Sequence, residues 1–135
     1  MDQWEVICSK VSGLEEELAE LEEQYYKDQQ VIEKERILYE ERYQQFRTFL
    51  EAKYEGITAG LNQREVQDCQ SLTNLTEGCL LIGEQQLMSA FQIYDQRLED
   101  LEAAYKKKWL AKDEQLTAAY VERSRIDLEL LDEGK

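Results

Sequence analysis

Not one proline occurs among the 135 residues. An average protein is about 5% proline, so roughly seven would be expected. Proline removes a backbone donor and clashes with the preceding helical turn, and a chain without it is free to form very long helices. Glycine, the next strongest breaker, occurs only six times, and 34% of the residues are charged. That composition belongs to a coiled coil or a long-helix bundle. Disorder fits poorly, because 42% hydrophobic and 10% aromatic residues give more apolar surface than a solvated chain tolerates.

The apolar residues keep a helical period. From Ile93 to Leu116 the large ones fall at Tyr94, Leu98, Leu101, Tyr105, Trp109 and Leu116, which lie on one helix face. An earlier stretch echoes this phase: Leu38-Tyr39 falls on Ile93-Tyr94, Tyr43 on Leu98, Phe46 on Leu101, Leu50 on Tyr105 and Tyr54 on Trp109. Two long amphipathic helices with matching faces should pack on each other or on other copies. The expected fold is all-α: a long antiparallel helical hairpin or coiled-coil bundle. Short helices are expected at the N-terminus and beside the turn.

The expected organisation is one domain over residues 1–135, a size suited to a single core. Residues 2–11 read as a short helix capped by Asp2 with Glu5, and Ser12 with Glu15 repeats the capping pattern. The first long helix is therefore placed at 13–59. Residues 56–83 hold four of the six glycines, several Asn, Ser and Thr residues, and few charges, so they are read as the turn region. Gly60-Leu61-Asn62 resembles a stop and restart, with Asn62 and Glu65 as a new capping box, and Thr73-Asn74 with Glu77-Gly78 is a second candidate. The second long helix is placed at 84–131. The alternative to a turn is an unbroken rod of more than roughly 180 Å.

The interaction seam expected from this pattern comprises Leu18, Leu21, Tyr25, Tyr39, Tyr43, Phe46, Leu50 and Tyr54 on the first helix. On the second it comprises Phe91, Tyr94, Leu98, Leu101, Tyr105, Trp109, Leu116 and Tyr120. Asp28 and Glu35 interrupt it at heptad positions, and the back-to-back steps of four from Phe46 to Tyr54 form a stutter. Parallel two-stranded coiled coils prefer Ile, Val and Leu at such sites. Rings this large fit a wider core with three or four helices around it.

Chemistry is hard to build from this chain. It has no histidine, which removes Ser-His-Asp and Cys-His nucleophiles and the Glu-x-x-His pairs of di-iron bundles. No Gly-rich phosphate loop is present. Cys8, Cys69 and Cys79 are widely spaced, without a C-x-x-C pair. No catalytic residue, no cofactor and no metal site is expected. The net charge of −14 disfavours nucleic acid and anionic membrane surfaces. No apolar run suits a signal peptide or a membrane span, so the chain is expected to be cytoplasmic, with reduced thiols. Residues 13–41 carry eleven acids and three bases, whereas 103–125 carry six bases and three acids, a mismatch that invites an internal or intersubunit charge match.

The functional expectation is a non-enzymatic structural or assembly subunit, acting through coiled-coil packing with itself as a homo-oligomer or within a larger complex. The alternative is a small acidic regulatory module or chaperone that shields a basic or apolar segment of a protein client. Neither binds nucleic acid or inserts into a membrane.

Overall fold

The structure, a computed structural model, describes residues 2–60 and 66–134, the side chains of 66–68 excepted. It is an all-α helical hairpin. Helix α1 spans Gln3–Gly60, 58 residues, and α2 spans Val66–Glu133, 68 residues. Among the described residues there is no strand, no cis peptide bond and no positive φ.

The boundaries differ from those expected, and packing explains each difference. Helix α1 begins at Gln3 instead of residue 13, so residues 3–12 are its first turns and not a separate helix. The Asp2 cap is present: the Glu5 amide donates to Asp2 Oδ1 at 2.8 Å. The Ser12 cap is not used. Val11 and Leu14 flank Gly13 and are both buried, so continuous helix keeps them in the core, outweighing the roughly 1 kcal/mol that a glycine costs. Helix α2 begins at Val66, far earlier than residue 84. The capping pair expected between the two helices, Asn62 and Glu65, lies outside the described residues. The later break does not occur, because its polar residues bond within the helix or across to α1. The Thr73 hydroxyl donates to the Cys69 carbonyl at 2.8 Å and shares a 2.9 Å hydrogen bond with the Tyr54 hydroxyl, and Thr76 is buried.

The chain divides into two compact units. The first combines Met1–Gln30 with Leu98–Lys135, and the second is Val31–Arg97. In the first unit, Ile7, Val11 and Leu14 of α1 meet Leu116, Ala119 and Ile126 of α2 in the one core cluster among the described residues, with Trp4 and Leu18 against its edge. Tyr25 and Tyr105 stack with ring centroids 4.3 Å apart and planes 14° from parallel. Lys112 Nζ reaches Glu17 Oε2 at 2.6 Å, and the Tyr120 hydroxyl donates to Glu15 Oε1 at 2.8 Å. The basic and acidic stretches thus do meet, but Lys106 pairs with Glu102 on its own helix.

The second unit is more thinly packed. Among its described residues only Ile32, Tyr43 and Thr76 are buried. Its helices are joined by two adjacent ion pairs, Arg36 with Asp95 at 2.6 Å and Arg97 with Glu35 at 2.5 Å. The Arg36 guanidinium also covers the Phe91 ring at 4.4 Å, and Tyr39 meets Tyr94 edge-on at 6.5 Å. The seam-interrupting Glu35 is therefore satisfied across the hairpin by Arg97.

Candidate interaction surface

Some predicted seam residues meet across the hairpin, as Tyr25 does with Tyr105 and Tyr39 with Tyr94, but most are incompletely covered. In the first unit, Leu18, Leu21, Tyr25, Leu98, Leu101, Tyr105 and Trp109 are half-buried, Leu116 is buried and Tyr120 is exposed. In the second, Tyr39, Leu50, Tyr54, Phe91 and Tyr94 are half-buried, Tyr43 is buried, and Phe46 is 42% exposed. No described side chain is completely enclosed. Two helices alone cannot surround a ring, because each helix covers only one side of its partner's apolar stripe.

Exposed apolar surface flanks the seam of the second unit. An open groove of about 420 Å³ is lined by Tyr39, Arg42, Tyr43 and Phe46 of α1 and by Cys79, Ile82, Gly83 and Gln86 of α2. It adjoins a second groove that shares Tyr39, Ile82 and Gln86 and adds Gln85, Ser89, Ala90, Ile93, Tyr94 and Arg97. Gly83 sets how closely the helices approach here. A Cβ at that position would lie 3.2 Å from Tyr43 Cε2 and 3.4 Å from Phe46 Cε1, tighter than ordinary van der Waals contact. The Tyr43 hydroxyl is buried beneath this wall without a hydrogen-bond partner among the described residues.

Charge is distributed unequally about this seam. At 100° per residue, the positions just before and just after a seam residue point to opposite flanks. Arg42 precedes Tyr43, Ile82 precedes Gly83 and Ile93 precedes Tyr94; all three line the grooves. Glu84 and Asp95 follow the same seam positions and fall on the other flank. There Arg47 is held protonated by its hydrogen bond to Glu51, with Tyr43 and Glu84 adding to the effect. No carboxylate lines either groove, although the chain carries 30 acids.

Ile82 and Ile93 were not among the predicted seam residues. A signal existed: they are eleven positions apart (82 to 93), three helical turns, and Leu75 lies two turns before Ile82. This second stripe runs beside the seam and was masked by the stronger aromatic pattern.

In the first unit, Tyr105 and Tyr120 keep their protons beyond the usual phenol range. Partial burial raises Tyr105, helped by Glu22 and Tyr25. The hydrogen bond to Glu15 raises Tyr120. Both groups therefore stay neutral on the seam rather than offering an ionised nucleophile. Among the described residues no three metal-ligating side chains converge, and no helix is long and apolar enough to cross a membrane.

Set against known proteins, the chain matches no family model, no curated protein and no solved structure.

Proposed function

We propose that this hairpin is a structural or assembly subunit that acts by packing its exposed helix faces against further helices, from other copies of itself or from a larger protein complex. The observation that carries this reading is the amount of surface left uncovered. The chain exposes 10430 Å², whereas a compact monomer of its 16.0 kDa exposes about 7,400 Å². The excess includes large apolar side chains in both units, such as Val121 and Leu128 in the first and Phe49, Ile82 and Ile93 in the second. Large apolar side chains left exposed next to one another mark protein interaction surfaces. Completing the half-covered seam with one or two more helices would give the three- or four-helix core that its aromatic rings suit.

The reading contrasts with that of an acidic chaperone, and recovered stoichiometry separates them. Tagged full-length chain, captured gently from the cells that make it and weighed intact by native mass spectrometry, should come out as multiples of itself or as a fixed multi-subunit set. Recovery with a single released client segment, one to one, would contradict the assembly reading and favour the chaperone.

A further inference from the structure

We propose that the groove flank of the second unit, centred on Phe46, Ile82 and Ile93, is the surface on which a second copy of this chain packs, face to face through the same residues. The inference rests on the assembly reading above and names the partner and the face.

Electrostatics selects this face for self-association. Two copies each carrying −14 repel wherever their carboxylates meet, and like charges at an interface are costly. A face-to-face contact between identical chains brings each surface patch against itself, so a patch holding acids would confront acids. Asp95 on the far flank is paired with Arg36, and Glu35 with Arg97 at the groove; Glu84 adds a further acid to the far flank, whereas no carboxylate lines the grooves. The groove linings contribute Tyr39, Phe46, Ile82 and Ile93 as apolar surface and Gln85, Gln86 and Ser89 as uncharged polar groups. Amide and hydroxyl groups of this kind can bond to their own counterparts across a two-fold axis, because each carries donors and acceptors. Of the two groove cations, Arg97 is already neutralised by Glu35, and Arg42 has a long stem that lets its charge reach the rim.

A stable interface buries about 800 Å² on each partner, and the exposed stripe extends beyond the grooves to Leu75, 66% exposed. The second unit is also where coverage is most needed, since it has only three buried residues among those described, whereas the first unit has its own core cluster. Ile82 is 56% and Ile93 61% exposed in the single chain.

The test compares two substitutions on opposite flanks of α2. Ile82→Glu places a carboxylate at the centre of the proposed face. Met88→Glu does the same at a comparably exposed apolar residue, 65% exposed, that lies four positions after Glu84, about one helical turn on, and so on the Glu84 flank. Sedimentation equilibrium of the full chain should give twice the 16.0 kDa chain mass for the wild type and for Met88→Glu. Ile82→Glu should raise the dissociation constant by about 100-fold or more, because the contact would bury an unpaired charge from each copy. Circular dichroism should show unchanged helix content.

If Ile82→Glu were to disturb the fold, the Cys8→Ser/Cys69→Ser chain reads the same face without an added charge: alkylation of Cys79, which lines the groove, should slow as chain concentration rises. Equal weakening by both charge substitutions, a dimer insensitive to Ile82→Glu, or a Cys79 rate independent of concentration would overturn the assigned face while leaving the assembly reading intact. A wild type that stays at the single-chain mass overturns the second copy as partner. The assembly reading then survives only if native mass spectrometry finds the chain in a fixed complex with other subunits.

Discussion

Glycine positions separate what the helix asks of a residue from what its neighbours ask. Gly78 and Gly83 both sit inside α2 with ordinary helical φ, so alanine at either should gain up to about 1 kcal/mol of helix propensity. At Gly78 an added Cβ meets nothing within 4 Å, and Gly78→Ala should stabilise the chain by about 0.5–1 kcal/mol. At Gly83 the Cβ presses on Tyr43, which is buried and hemmed in, and on Phe46, which is exposed and can swing away. Gly83→Ala should therefore show no net gain, because crowding against Tyr43 offsets the propensity term. Urea unfolding of the two variants would check this. Equal stabilisation by both would mean that the helices at Gly83 do not approach as closely as described. Nothing in the sequence distinguishes these glycines, since both read simply as turn residues; only the opposing ring at Gly83 gives it a packing role.

At the scale of the elements, the sequence revealed the hairpin and the end of α1 near residue 59, but began both helices too late. The absence of proline and the recurrent seam were enough to predict two long helices, and most seam residues, from Leu18 to Leu116, do face inward. The turn was harder to place because glycine and Asn/Thr clusters signal a break only when nothing else holds the helix together. At Thr73 a hydrogen bond to Tyr54 across the hairpin does so, and at Gly13 the flanking Val11 and Leu14 do. Such contacts join residues distant in sequence and leave no local trace. The register they set has a direct check within the first unit. The Tyr25 and Tyr105 rings stack at 4.3 Å, and offset-stacked pairs contribute about 0.5–1.5 kcal/mol beyond their buried area. A double-mutant cycle with Tyr25→Leu and Tyr105→Leu should recover a favourable coupling of that size. Additive losses would indicate that α1 and α2 meet in a different register there.

For the whole molecule, the decisive feature is surface that the hairpin cannot cover by itself. The predicted interaction seam lies along the contact between α1 and α2, which covers it only in part. What remains for partners is the stripe beside it, carried by Phe46, Ile82 and Ile93, together with the outer residues of the first unit such as Val121 and Leu128. The spacing of Leu75, Ile82 and Ile93 left a trace of this stripe in the sequence, but which flank of a helix stays open depends on where the other helix lies. The absence of carboxylates from the grooves likewise emerges only once α1 and α2 are set side by side, since neither helix is acid-free along its own length. The central claim, that the chain is built to be completed by packing against further helices, is tested most directly by sedimentation velocity of the full-length protein across the micromolar range with an apolar fluorescent dye present. Self-association that grows with concentration, or an unpartnered chain that binds dye strongly, is the result predicted here. A single-chain species at every concentration that binds no dye would contradict the account.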